Sequence, residues 1–391
     1  METASNPVGG SRWTNPAEVL RDLRGLIVGV AVLVVADLLM SVLLSAVLPE
    51  RVFLEMYLDE TYDEVIEGFR SGAALVVPDP AAGWRMRPDT ASGNLLTDAM
   101  GARVHPEGDH APDRLQVLLL GSSVMNGGLR AAPDETLAYY LESAEVHAIN
   151  HGTMLHSLDQ SLLAYRHRLT ELDADVVLVG IHADHEAAPN LFVPLRSRTE
   201  LFMPFLKPGF RNRDGRLELV PAPPFDQADR AQWEDLLDYL RAHDGSYDAF
   251  DSYRRWGVMP ISGFLRDQYL RLRRRRVHAP SVRNGHESER PPLADLGREV
   301  RGRGARLLVL KFAEISDHGR NWQHFIFGDF DEVHDRMLAE SGHEVLFVRE
   351  ILDSSGRPLA ALYRDDGMHL TAEAYRLLAD SVRARIAGPS P

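Results

Sequence analysis

Residues 25–48 form an apolar run of 24 residues between Arg24 and Glu50, interrupted by one charge, Asp37. As a helix rising 1.5 Å per residue, the run reaches about 36 Å, enough to cross a hydrocarbon core of about 30 Å with some tilt. A central acid costs roughly 3 kcal/mol on insertion, and fifteen Leu, Ile and Val side chains at about −0.3 to −0.6 kcal/mol each outweigh it. Asp37 reads as a tolerated single acid or as a group facing a partner helix, because acids inside membranes are functional suspects by default. A cleaved signal sequence has a shorter apolar region, about 7–15 residues, ending in small residues. Leu44-Ser45-Ala46 is a poor cleavage site, so the run reads as an uncleaved anchor. Arg12, Arg21 and Arg24 precede it, whereas Arg51 follows it amid Glu50, Glu55, Asp59, Glu60, Asp63 and Glu64. The positive-inside rule then expects residues 1–24 in the cytoplasm and the bulk of the chain in the periplasm or outside the cell.

The balance of charge narrows the partners. With 43 basic and 57 acidic side chains the net charge is −14, which argues against a general nucleic-acid binder. Cysteine is absent, which removes disulfides, thiolate metal ligands and a cysteine nucleophile from consideration.

Residues 49–110 read as a juxtamembrane lead-in, punctuated by Pro78, Pro80, Gly83, Pro88 and Gly93 and so expected to be rich in loops. From about 111 to 391 the pattern changes. A short apolar run at 115–120 suits a buried parallel strand, and 146–150, 176–180, 305–310 and 344–348 are further candidate strands. Helical patterns separate or follow them at about 134–144, 157–172, 293–303, 329–341 and 371–386. This alternation predicts an α/β domain with a parallel sheet covered on both faces. Residues 190–292 break the rhythm and read as an insertion. It leaves the third strand at its carboxyl end, so it is expected to cover the mouth of a site there.

Two local motifs carry chemistry. The first strand runs into Gly121-Ser122-Ser123, a small turn at the carboxyl end of a parallel strand, where open α/β sheets place their ligands. A serine there offers a hydroxyl to a cleft and a backbone N–H to an anion; a plain tight turn with a helix cap is the competing reading. The second motif, Asp366-Gly367-Met368-His369-Leu370-Thr371, precedes an amphipathic helix. A serine nucleophile needs a base, and the base needs a group to fix its tautomer; an acid three residues ahead of a histidine can serve locally. An Asp-Gly turn before a Thr371 cap is the alternative.

Together these motifs resemble the first and last sequence blocks of the SGNH/GDSL hydrolase family. Ala148-Ile149-Asn150-His151-Gly152 is similar to that family's glycine block, and the Gly180-Ile181-His182-Ala183-Asp184 stretch to its third block. Upstream, Gly83-Trp84-Arg85 with Pro78 and Pro88, and Asp98-Ala99-Met100-Gly101-Ala102-Arg103, resemble the lead-in of membrane-anchored envelope members. The resemblance covers about residues 78–187 and 305–387. It implies a flavodoxin-like, three-layer α/β/α fold with five parallel strands. It also implies Ser123 as nucleophile, His369 as general base and Asp366 as the group that orients it, with an oxyanion hole from Ser123, Gly152 and His182. Two positions depart from the family. Ser122 stands where Asp is usual before the nucleophile, and His182 stands where the third block has Asn. An imidazole can still donate a hydrogen bond, and loss of one oxyanion donor typically costs about 10²–10³ in turnover.

The implied activity is a serine esterase or O-acyltransferase of the cell envelope, acting on acyl esters such as polysaccharide O-acetyl groups without a metal or other cofactor. The expected partners are an acylated carbohydrate or other ester, the membrane through residues 25–48, no nucleic acid, and a multi-spanning acyl-donor protein if the reaction is transfer. The competing expectation is a degenerate, non-catalytic relative that binds glycan or scaffolds a polysaccharide system. Other features carry less. His182, Asp184, His185 and Glu186 cluster but lack metal-ligand spacing. Arg271 and Arg273–Arg276 suit an anionic surface or a solvated helix end. Asp214-Gly215 suits a hairpin turn, and Trp84 and Trp256 suit packing.

Overall fold

The structure is a computed structural model and describes residues 16–105, 113–182, 191–192, 205–213, 216–226, 228–244, 247–256, 292–313, 335 and 338–388. In chain order it begins with two helices, α1 (Pro16–Val47) and α2 (Glu50–Arg70). Two small antiparallel hairpins follow, β1 (Val76–Asp79) with β2 (Gly83–Met86) and β3 (Ala91–Ser92) with β4 (Leu95–Leu96). The α/β part then runs β5 (Leu115–Gly121), α3 (Ser123–Asn126), α4 (Leu137–Leu141), β6 (Val146–Asn150), α5 (Leu158–His167) and β7 (Val176–His182). The insertion contributes a hairpin, β8 (Gly209–Arg213) with β9 (Arg216–Val220), and two helices, α6 (Trp233–His243) and α7 (Tyr247–Trp256). Helix α8 spans 292–302. The remaining elements are β10 (Arg306–Phe312), β11 (Glu344–Phe347), α9 (Val348–Ser354), α10 (Leu359–Leu362) and α11 (Ala372–Ile386).

Five strands pair in parallel in the order β6-β5-β7-β10-β11. Counted along the chain this order is 2-1-3-4-5, that of flavodoxin-like doubly wound sheets, and the crevice of such a sheet opens where the first and third strands meet. The strands are apolar on both sides because both sides are covered. Val117, Leu119, Leu178, Leu308 and Leu310 pack with α4, α9 and α11 on one face, and their chain neighbours Leu118, Leu120, Val177, Val179 and Val309 pack with α5 and α8 on the other. That alternation follows from the two-residue period of a strand.

A third core lies outside the sheet. Phe53, Leu54, Tyr57, Leu58, Tyr62 and Ile66 form one stripe of α2 and pack against Trp233, Leu237, Leu240, Phe250 and Tyr253 of the insertion. Tyr57 meets Phe250 and Tyr253 edge to face, and Tyr62 meets Trp233 in the same way. Fully burying each such side chain contributes about 1.5–3 kcal/mol. The loop-rich lead-in expected from residue 49 therefore starts only after Arg70. The helices of the insertion build onto α2, while Phe210 and Leu217 of its hairpin pack on the α5 side of the sheet; residues 183–190, 193–204, 257–291, including the Arg271–Arg276 run, and the Asp214-Gly215 turn lie outside the described residues, as does most of the helix expected at 329–341.

Within α1, Leu23–Val47 is long and apolar enough to cross a membrane, with a mean hydropathy of 2.8. Among the described residues of this helix Asp37 and Ser41 are the buried polar ones, one turn apart on one side, and α1 packs against α7. Asp37 thus faces protein, while Leu26, Val32, Leu33 and Leu39 point outward.

Candidate active site

The crevice is built first by glycines. Gly121 ends β5 with φ of +133°, and a methyl group there would meet the Gly180 carbonyl oxygen at 2.6 Å. On Gly180 it would meet Met125 Cγ at 2.1 Å, so the two strands and α3 approach as closely as backbone allows. Ser122 follows in extended conformation and Ser123 opens α3, a helix of four residues. Gly127, at φ of +95°, and Gly128 end it by donating their N–H groups to the Ser123 carbonyl at 2.8 and 2.9 Å. The left-handed conformation favours glycine because it has no β-carbon. The Tyr375 hydroxyl of α11 donates to the Val124 carbonyl at 2.6 Å, which ties the last helix to α3.

The second half of the site is the loop before α11. An isolated bridge pairs Tyr363 with Leu370, and the turn between closes through Arg364 N–H to the His369 carbonyl (2.7 Å) and Gly367 N–H to the Arg364 carbonyl (2.8 Å). Asp366 Oδ1 accepts from the amides of Met368 (3.0 Å) and His369 (2.9 Å). Its Oδ2 lies 2.9 Å from His369 Nδ1, and His369 Nε2 lies 2.9 Å from Ser123 Oγ. Burial pushes the Asp366 carboxyl up, but the amide bonds from His369 and Met368 and the His369 ring outweigh it and hold the carboxyl below its ordinary value. An ionised carboxylate only accepts, so Nδ1 carries a proton; in the neutral ring Nε2 is then the acceptor, to which Ser123 Oγ–H donates. The structure thus brings Ser123, His369 and Asp366 into one hydrogen-bonded chain.

The three oxyanion candidates fare differently. Ser123 N–H stands in the first turn of α3, where amides have no intrahelical acceptor. The Gly152 N–H donates to Asn150 Oδ1 at 3.0 Å, and Gly152 packs so tightly on α3 that a methyl group would meet Asn126 N at 2.6 Å. His182 is buried at the end of β7, two residues beyond the Gly180 that pairs with Gly121. Ser123 stands two residues beyond Gly121, so both follow the paired glycines at the switch point, His182 still within β7 and Ser123 just past β5. Ser122 is buried, and its hydroxyl finds no hydrogen-bond partner among the described residues. Asp184, His185 and Glu186 lie outside the described residues, and among the described residues no group of three His, Asp or Glu is arranged to hold a metal.

Three polar residues around the site had no role in the sequence reading. Asn126 donates to the Gly152 carbonyl at 2.9 Å and accepts from Arg103 at 3.1 Å. Arg364 pairs with Glu135 at 2.8 Å, joining the His369 loop to the segment after α3. Arg103 is buried beside that same segment. Their signal in the sequence is nearness to the motif blocks, and nothing local shows which carbonyls they reach.

No family model and no curated protein matches the chain. Solved structures are similar at low identity. TesA aligns at a TM-score of 0.35 with 12% identity, over 69% of this chain and 97% of its own. LAE5, an alpha/beta hydrolase enzyme from the metagenome of Lake Arreo, aligns at 0.37 with 10% identity, over 72% and 97%. A catalytic mutant of Axe2, an acetylxylan esterase from Geobacillus stearothermophilus, aligns at 0.36 with 9% identity, over 72% and 97%.

Proposed function

We propose that the protein is a membrane-anchored serine esterase or O-acyltransferase, with Ser123 as nucleophile, His369 as general base and Asp366 as the group that orients it. The observation that carries this reading is the pair of 2.9 Å contacts that link Ser123 Oγ through the imidazole to Asp366. Ser123 Oγ attacks an acyl carbonyl while His369 Nε2 takes its proton. The tetrahedral oxyanion is held by the Ser123 N–H, with the Gly152 N–H and His182 as the further donors that the SGNH/GDSL resemblance implies. Collapse of this intermediate expels the alcohol, which takes the proton from His369, and leaves an acyl-serine. Water or an acceptor hydroxyl then attacks the acyl-serine, again with His369 as base, and the two acceptors define hydrolysis and transfer. The SGNH/GDSL resemblance supports O-acetyl groups of an envelope polysaccharide as the substrate class, and Leu23–Val47 supports an anchor.

A second reading is a degenerate domain that binds glycan or scaffolds a polysaccharide system. Two observations favour it: His182 stands where the resemblance expects Asn, and the Gly152 N–H is already given to Asn150 Oδ1. Hydrolysis of an aryl acetate by the full-length protein in detergent separates the readings. The enzyme reading expects turnover that Ser123→Ala abolishes with folding intact; the same slow rate in both proteins supports the scaffold.

A further inference from the structure

Arg103 reaches the site from the lead-in. Its N–H donates to the Asn150 carbonyl at 2.8 Å, which seats it at the carboxyl end of β6. Its guanidinium is buried and faces main-chain oxygens. Nη1 donates to the Asn126 carbonyl (3.0 Å), to Asn126 Oδ1 (3.1 Å) and to the Gly128 carbonyl (2.6 Å). Nη2 donates to the Asn94 carbonyl at 3.0 Å and to the Ala131 carbonyl. Among the described residues no carboxylate pairs with it. Burial pushes its pKa down to about 10, so it remains a cation at neutral pH. A charge kept inside with only neutral oxygens as partners is an expensive way to fill space. The planar fork matches several carbonyls at fixed angles, as an ammonium cannot.

What the fork fixes is a wall of the site. Gly128 is held at both ends: its N–H by the Ser123 carbonyl at 2.9 Å, its carbonyl by Arg103 at 2.6 Å. Its α-carbon then lies against the imidazole, where a methyl group would come within 2.9 Å of His369 Cδ2 and 3.1 Å of Nε2. Asp366 holds the ring at Nδ1. Gly128 packs against the same ring at Cδ2 and Nε2.

We propose that Arg103, given the esterase reading, is a positioning residue: by clamping the 126–131 turn it presses Gly128 against His369 and keeps Nε2 aimed at Ser123 Oγ. Loosening the clamp lets the ring drift, and a misplacement of about 1 Å can lower turnover about 10²-fold. Substrate binding, made elsewhere, is left alone.

The test uses the full-length protein in detergent. A fluorophosphonate titration counts competent sites, and aryl acetate hydrolysis gives kcat and KM. For folded Arg103→Lys the expected result is wild-type labelling stoichiometry, unchanged KM and kcat lower by about 10²-fold. Gly128→Ala, which leaves Arg103 in place and crowds the ring, should lower kcat in the same way. A purely structural arginine would instead reduce the number of competent sites and leave kcat per site intact. Wild-type kcat per site in Arg103→Lys overturns the proposal, and if that variant does not fold, wild-type kcat in Gly128→Ala overturns it. An inert wild-type protein overturns the esterase reading and the clamp's role with it; an active wild type beside an equally active Lys variant overturns the clamp alone.

Discussion

Ser123 and His369 are 246 residues apart in the chain and 2.9 Å apart in space. The sheet makes this meeting. Ser123 leaves the first strand at the switch point, and the loop before α11 returns over the same edge, fastened to α3 by Tyr375 and to the segment after α3 by Arg364 with Glu135. The two catalytic candidates therefore sit on elements that are held to each other by buried or half-buried bonds, independent of any substrate.

Asp366→Asn tests the orienting role. The amide can still take the Met368 and His369 N–H bonds through its oxygen, so the fold should hold. It offers Nδ1 a weaker or inverted partner, and kcat should fall about 10²–10⁴-fold. The depressed carboxyl also gives a pH signature. Its contribution to stability is fully present above the unfolded value of about 3.9 and is lost as pH falls through its lower folded value. The difference in thermal midpoint between wild type and Asp366→Asn should be constant above about pH 5 and shrink below pH 4.

His182→Ala tests the oxyanion assignment. If the imidazole donates to the developing charge, kcat should fall about 10²-fold with KM little changed. His182→Asn should retain more activity than His182→Ala. Equal kcat in wild type and His182→Ala would remove His182 from the mechanism.

Gly180→Ala probes the close approach at the switch point. A methyl group 2.1 Å from Met125 Cγ must displace that side chain, which α3 carries. Overpacking of this kind typically costs about 1–3 kcal/mol. Chemical denaturation should show that loss, and hydrolysis should fall further than stability alone explains because Ser123 rides on α3.

His151 gives an acid sensitivity unrelated to catalysis. Burial pushes its imidazole down to about 3, with Arg168 and Arg85 adding to the effect, while the unfolded chain protonates it near 6.5. Its contribution to stability is present above pH 6.5 and is lost as pH falls through the folded value. Between pH 6 and 4 it should make unfolding easier by up to about 1.4 kcal/mol per pH unit. His151→Gln should flatten the pH dependence of the thermal midpoint in that range.

The sheet was legible because its strands are buried on both faces: 115–120 is apolar but for Gln116, 146–150 carries Val146, Ala148 and Ile149, and the two match β5 and β6 to within a residue. The strand expected at 344–348 ends one residue earlier, since α9 starts at Val348 with no loop after β11. Helix α2 was missed because the partners of Phe53, Tyr57 and Tyr62 lie in the insertion, far along the chain. Without them the acidic, mixed sequence after the apolar run looks like a linker. The Ser123 and Asp366–His369 motifs were legible as blocks, since a tight glycine turn and a short Asp-to-His spacing are local. The Asn150 bond to Gly152 and the Arg103 clamp are set by tertiary contacts that no local pattern records.

The esterase reading requires Ser123 Oγ to be the group that takes up the acyl chain. Its most direct test is the mass of the intact protein after exposure to a fluorophosphonate, followed by peptide mapping. One phosphonyl adduct per chain is expected, on Ser123, formed slowly in Asp366→Asn and not at all in His369→Ala or Ser123→Ala. No adduct on the folded wild-type protein, or an adduct on another residue that persists in Ser123→Ala, would contradict it.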